Sequence, residues 1–218
     1  MAENCKIIYK EGMGELVEKK SRFIAQIRPV KSEEEALAFV EETRKKYWDA
    51  RHNCYAYILK GEGATPTARC SDDGEPSQTA GKPMLDVPMG EGLMDVCAVV
   101  TRYFGGTLLG TGGLVRAYSG AVKQGLANAQ ILEKKQGVRM EVITDYNGVG
   151  KIQYLAAQEG IDTLDSQYTD KVVFIFLVPG EQEESFKAKL VESTNGSIVI
   201  RTDGEVYYGK CGGELILL

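Results

Sequence analysis

The chain is poor in the residues that most often carry chemistry. Its 218 residues include one histidine and one tryptophan. A three-histidine metal site is therefore impossible, and no H-E-x-x-H pair exists. The five cysteines (Cys5, Cys54, Cys70, Cys97 and Cys211) are odd in number, scattered and without a C-x-x-C pair. That argues against a disulfide framework or a structural zinc site and predicts reduced thiols. No G-x-S-x-G elbow is present, and Ser119 falls inside a predicted helix, so hydrolase chemistry has little support. No apolar run reaches a membrane span, and residues 1–20 lack a signal-peptide pattern. The expectation is a soluble, cytoplasmic chain with no membrane partner. The most telling scarcity is local: from Val96 to Leu132 there is no Asp or Glu, while Arg102, Arg116 and Lys123 are present.

That acid-free span opens with a β-type run, Cys97 to Val100, which continues into Arg102-Tyr103-Phe104. Two glycine pairs follow, Gly105-Gly106 and Gly112-Gly113, bracketing Leu108-Leu109-Gly110. The apolar spacing then turns helical, with Leu114, Ala117, Tyr118, Ala121, Val122 and Gly125 on one face. A glycine loop feeding a helix N-terminus leaves N–H groups open to an anion. Both nucleotide fingerprints fail: the P-loop lysine is missing, and Val115 stands where the dinucleotide motif needs its third glycine. What remains is a strand-loop-helix unit with an anion-binding character, or glycines that serve only tight packing.

Charge is unevenly divided. Residues 1–136 hold 19 Lys and Arg against 18 Asp and Glu, whereas residues 137–218 hold 7 against 13, within an overall net of −5. A nucleic-acid surface therefore belongs on the first part. Strands are expected over Gly14–Lys20 and Arg22–Val30, then a helix capped by Ser32 with Ala36, Leu37, Val40 and Tyr47 on its buried side. A strand follows over His52–Leu59, a long polar loop over Gly61–Gly81, and a short broken helix over Met84–Leu93 limited by Pro83 and Pro88. From Gly137 onward the pattern reads strand, helix, two strands, helix, strand, which is the ferredoxin-like β-α-β-β-α-β order. Two domains, 1–136 and 137–218, are expected.

Two further groups of residues invite a chemical reading. His52 shares a strand face with Cys54, the geometry of a Cys–His pair, or is an ordinary hydrogen-bonded histidine. Asp72, Asp73 and Glu75 surround Gly74 and either hold a hard cation or shape a turn and cap a helix. The calcium-loop ligand pattern is absent, and no metal site is assigned. Arg51, Arg69 and Lys82 extend the basic residues around Arg102.

Four stretches resemble the YigZ/IMPACT family: Lys19-Lys20-Ser21-Arg22-Phe23-Ile24-Ala25, Asp49 to Tyr57, Asp72 to Leu85, and Val100 to Tyr118 with its glycine pairs. Pro88, Gly90 and Gly92 depart from the smoother helix expected there. The resemblance implies an α+β protein. Its first domain would be similar to a small-subunit ribosomal protein domain and to domain IV of elongation factor G, an α/β sandwich. Its second would be similar to that factor's ferredoxin-like domains. It implies no cofactor and no catalytic residues; a proline-dipeptidase label carried by some bacterial members finds no metal cluster here. Eukaryotic IMPACT proteins modulate a translational control pathway through an additional domain not expected in this chain.

Three readings follow. The first is a non-catalytic binding protein associated with translation, docking structured RNA or the ribosome through Arg51, Lys82, Arg102, Gly105, Gly106, Gly112, Gly113, Arg116 and Lys123. The second is an enzyme acting on a small phosphorylated or peptide substrate in a cleft of His52, Asp72, Asp73 and Glu75. The third is an interaction factor whose acidic second domain contacts a translation-factor protein. The sequence leaves the oligomeric state open.

Overall fold

The computed structural model describes residues 5–61, 65–211 and 213–218, which form two compact units, Cys5–Glu133 and Lys134–Leu218. The first unit runs β1 (Cys5–Lys10), β2 (Gly12–Glu18), β3 (Ser21–Pro29), α1 (Glu33–Lys46), β4 (His52–Leu59), β5 (Thr67–Ser71), α2 (Gly81–Gly90), β6 (Leu93–Met94), β7 (Val96–Tyr103) and α3 (Thr111–Ala127). Five strands form one antiparallel sheet in the order β2-β3-β7-β4-β5, and β1 pairs with β6 in parallel. Strand side chains alternate between faces. In β7, Val96, Ala98 and Val100 join the core under α2 and α3, while Cys97 and Val99 join Phe39 and Val40 of α1. A sheet covered on both faces explains why its central strand reads as continuously apolar rather than alternating.

Ser32 caps α1 as its sequence predicts: its hydroxyl accepts from the Glu35 N–H at 3.2 Å. The buried face is Ala36, Phe39, Val40 and Thr43, spaced i, i+3, i+4, i+7. Leu37, expected inside, is 42% exposed, because counting from the Ser32 cap puts it off that stripe. Residues 62–64 of the polar loop expected over Gly61–Gly81 lie outside the described residues, and the rest is not all loop. Thr67–Ser71 adds an edge strand beside β4. Helix α2 starts at Gly81, ahead of the expected Met84. Pro83 sits in the first turn, where a missing N–H costs nothing, and Pro88 lies farther inside the helix.

Lys19 and Lys20 join β2 to β3 as a two-residue turn, both at positive φ (46° and 66°). Such turns favour Asn-Gly, since a non-glycine residue there costs about 1–2 kcal/mol. Lys20→Gly is therefore expected to stabilise the chain by up to about 1 kcal/mol in chemical unfolding. A loss of stability would show that the lysine side chain itself holds the turn.

The second unit continues β8 (Gln130–Thr144) into α4 (Val149–Glu159), β9 (Asp162–Tyr168), β10 (Val172–Pro179), a 3₁₀ turn over Gly180–Gln182, α5 (Glu183–Ser193), β11 (Val199–Cys211) and β12 (Glu214–Leu217). The antiparallel order β9-β10-β8-β11 is ferredoxin-like, with β12 added beside β11. Its core gathers Met140, Val142, Ile152, Phe174, Phe176, Phe186 and Leu190. Phe186 meets Phe176 edge to face, with ring centres 5.8 Å apart. Gly137, which the sequence suggests as a break, lies within β8. A Cβ there would stand 2.8 Å from the Val178 carbonyl oxygen, so glycine serves the close packing of strands rather than ending one.

Candidate functional site

The residues singled out by the sequence fall into three places. The first is a buried polar cluster at the α2/α3 face of the sheet. The register sets Phe23 of β3, Arg102 of β7 and His52 of β4 in one row. Arg102 is 7% exposed, and its Nη1 donates to Glu75 Oε1 at 2.6 Å. The same oxygen accepts from the Tyr118 hydroxyl of α3 at 2.8 Å. The guanidinium lies 5.4 Å from the Phe23 ring centre and 5.6 Å from that of Phe104. Its charge is thus neutralised and packed between aromatic rings, so Arg102 is not an open phosphate ligand. Arg102 and Glu75, read separately as basic surface and acidic cleft, are partners.

Cys54 is buried beside them, its Sγ 3.0 Å from the Asp72 carbonyl oxygen and 3.4 Å from the Tyr118 hydroxyl. A carbonyl only accepts, so the single thiol proton belongs to Asp72. Burial pushes this thiol far above its ordinary range, the neighbouring Tyr118 hydroxyl works against the rise, and Glu75, Asp73 and Asp72 add to it. Burial, then Cys54 and Glu75, likewise push the Tyr118 hydroxyl up. Cys54 stays protonated and is no nucleophile. His52 does not pair with it: His52 Nδ1 lies 2.8 Å from the Asp73 carbonyl oxygen and, facing a pure acceptor, carries the proton.

The carboxylates of the 72–75 turn are also engaged. Asp72 accepts from the backbone N–H groups of Ala80 (2.9 Å), Gly81 (2.8 Å) and Gln78 (2.8 Å), and so caps α2 from outside the helix. Burial works to raise its carboxyl, but these N–H bonds prevail and hold it below the ordinary carboxylate range. Asp73 accepts from the Asn53 N–H at 2.7 Å and from Arg44 at 2.8 Å. Among the described residues no three His, Cys, Asp or Glu side chains group as metal ligands. The turn's carboxylates work as cap and pairing groups.

The second place is the end of the sheet where β7 leaves it. Gly105 presses against the β2–β3 turn: its N–H donates to the Ser21 hydroxyl at 3.1 Å, and a Cβ would come within 2.0 Å of the Lys20 carbonyl carbon. Gly106 (φ 84°) and Gly110 (φ 72°) turn the chain into α3. Gly112 and Gly113 form the first turn of α3, where no side chain caps the helix and no acid is present. Arg116 projects beside them, 3.5 Å from where a Gly112 Cβ would stand. Arg51, in the turn before β4, lies at the same end, and both arginines are exposed without an ion pair among the described residues. The sequence alone did not single out Trp48, in that same turn and 83% exposed, or Lys19 and Lys20 as surface residues. The signal that could have found them is an aromatic residue at the charged end of a helix and two lysines where a hairpin turn wants Asn-Gly.

The third place is a shallow groove between α2 and α3, lined by Val87, Val115 and Lys123 together with Asp86 and Glu91. Lys82 is paired with Asp86. Lys82 and Lys123 thus lie at a groove that also carries Asp86 and Glu91. In the second unit a cavity of about 550 Å³ is lined by Glu181, Glu183, Glu205 and Lys135, which locates part of that unit's acidity.

An antiparallel sheet held between helices, with a locked Arg–Glu–Tyr centre, followed by a ferredoxin-like domain, defines a two-domain α+β class. The chain belongs to the IMPACT/YigZ family. The model of the Impact N-terminal domain matches residues 19–126, and a domain of unknown function, DUF1949, matches residues 142–197. IMPACT family member YvyE of Bacillus subtilis is 40% identical over 92% of this chain and 91% of its own length. IMPACT family member YigZ of Escherichia coli is 39% identical over 83% of this chain and 88% of its own. A crystal structure of a hypothetical protein, 36% identical, covers 92% of this chain and 97% of that one at a TM-score of 0.59. Among the described residues no helix is long and apolar enough to cross a membrane.

Proposed function

We propose that the protein is a non-catalytic, translation-associated RNA-binding protein, and that RNA, free or ribosomal, meets the first unit at the end of the sheet formed by the glycine loop, Arg51 and Arg116. The observation that carries this reading is the N-terminus of α3, acid-free in its first turn and without a side-chain cap, with Arg116 beside it and Arg51 at the same end of the sheet, neither in an ion pair among the described residues. Open N–H groups and guanidinium groups together suit phosphate oxygens. The resemblance carried by the four sequence stretches, which implies a first domain similar to a ribosomal-protein domain and to domain IV of elongation factor G, supports the choice of partner. Arg102 and Glu75 hold the surface in shape from beneath rather than contacting the ligand.

The test is binding of the purified protein to ribosomes and to structured RNA over a salt series. The Arg51→Ala/Arg116→Ala double variant is expected to weaken binding at every sequence tested. It should also flatten the dependence of log affinity on log salt by roughly 1.4 to 1.8, the release expected for two lost phosphate contacts. An unchanged affinity and slope would remove this surface from the proposal.

A further inference from the structure

The same end of the first unit carries more than charge. Three segments distant in the chain converge there: the Lys19-Lys20 turn, the turn from Trp48 to Arg51, and the loop after β7. Two contacts fix them. Tyr103 donates its hydroxyl proton to Asp49 Oδ1 at 2.7 Å, tying the end of β7 to the Trp48–Arg51 turn. Gly105 packs on Lys20 and Ser21, tying the loop to the hairpin tip. Trp48 is 83% exposed and Phe104 is 53% exposed, although both are large apolar rings. Of the acids at this end, Glu15 is held by Arg22 through a two-pronged pair, Asp49 by Tyr103, Asp73 by Arg44 and the Asn53 N–H, and Glu75 by Arg102, while Glu18 is exposed. Lys19, Lys20, Arg51 and Arg116 are exposed and in no ion pair among the described residues.

We infer that this surface takes RNA whose bases are unstacked, a single strand or a loop, with Trp48 and Phe104 as stacking platforms and Lys19, Lys20, Arg51 and Arg116 on the phosphates. This rests on the RNA-binding reading above and narrows it. A flat ring open to solvent offers a face to any base, and a base inside a continuous duplex cannot reach it. The strained lysine turn fits the same role. The chain keeps two positively charged residues in a backbone conformation that glycine and asparagine adopt more easily.

Because Trp48 is the sole tryptophan, its emission reports directly on stacking. The experiment titrates the full chain with a single-stranded RNA of about 12 nucleotides, and with a blunt duplex of the same length. The expected result is quenching of Trp48 emission by the single strand and tighter binding of the single strand than of the duplex. Trp48→Ala should weaken that binding roughly ten-fold or more without changing its salt dependence, since a stacked ring releases no counterions. Trp48→Phe, which keeps an aromatic face, should restore most of the affinity. The Lys19→Asn/Lys20→Gly double variant should fold at least as well as the parent yet bind less tightly, with its salt dependence lower by about 1.4. Equal or tighter duplex binding, or full affinity in Trp48→Ala, would overturn this inference. Salt-dependent binding lost in Arg51→Ala/Arg116→Ala would still leave the broader reading standing. Binding of neither RNA at low salt would overturn both and direct attention to a protein partner.

Discussion

Glu75→Ala is expected to destabilise the first unit by about 3–5 kcal/mol, a loss readable as a drop in the urea midpoint followed by far-ultraviolet circular dichroism. The cause lies in what stays behind. Arg102 cannot shed its proton, and in the variant its guanidinium would remain buried at 7% exposure without the Glu75 oxygen that now faces it at 2.6 Å. Tyr118 loses the acceptor for its hydroxyl in the same step. Glu75→Gln keeps an acceptor for both donors and should fall between the parent and the alanine variant. Replacing both charges, as Glu75→Leu with Arg102→Met, should cost less than Glu75→Ala alone, because no buried charge is stranded. A loss below about 1 kcal/mol for Glu75→Ala would mean that water reaches Arg102 readily, and the locked centre described above would be wrong. The result also bears on function. Removal of Arg102 would weaken any activity by loosening the sheet end, so loss of binding in an Arg102 variant identifies no contact.

A second large effect is expected where β2 meets α3. A Cβ on Gly14 would lie 2.4 Å from the Gly125 backbone nitrogen and 2.7 Å from the Gln124 carbonyl carbon, and one on Gly12 would lie 2.2 Å from the Gly125 carbonyl oxygen. Strand and helix touch backbone to backbone, so no side chain can swing aside to make room. Gly14→Ala should therefore cost about 3 kcal/mol, the upper end of the range for overpacking. It should do so by lifting α3 from the sheet, which would be seen as faster amide exchange at the α3 residues facing β2. Gly90→Ala is the control. That glycine ends α2 with nothing within 4 Å of its missing Cβ, and alanine there should be neutral or stabilising by up to about 1 kcal/mol. Similar costs at Gly14 and Gly90 would refute the close approach.

Much of the framework is legible in the sequence because it rests on local rules. The Ser32 cap, the apolar stripe of α3, the alternation of β3 and the β-α-β-β-α-β order each depend on residues within a few positions of one another. What the sequence hides depends on pairing at a distance. The span from Val96 to Leu132 reads as uncompensated positive charge, yet the acid that neutralises Arg102 lies 27 residues earlier in a turn. The carboxylates of that turn read as a metal site or a cap. Asp72 proves to be a cap, but for a helix that begins eight or nine residues later. Strand β5 stays hidden because a five-residue edge strand with only partly buried side chains lacks a strong alternating pattern. Trp48 escapes notice because exposure of a tryptophan is decided by what fails to cover it.

The central position of β7 has a consequence for how the chain is made. Its partners β3 and β4 are synthesised first, and about 65 residues separate the end of β3 from the start of β7. At roughly 5–20 residues per second, β3 leaves the ribosomal exit some 3 to 13 seconds before the strand that will lie between it and β4. During that interval Phe23, Ile27, Cys54 and Ile58 have no central strand beside them, and α3 has not yet been made to cover them. The first unit closes only when its last strand and last helix arrive together, so a pause in synthesis before Val96 lengthens the period in which two apolar strand edges stand open to other chains.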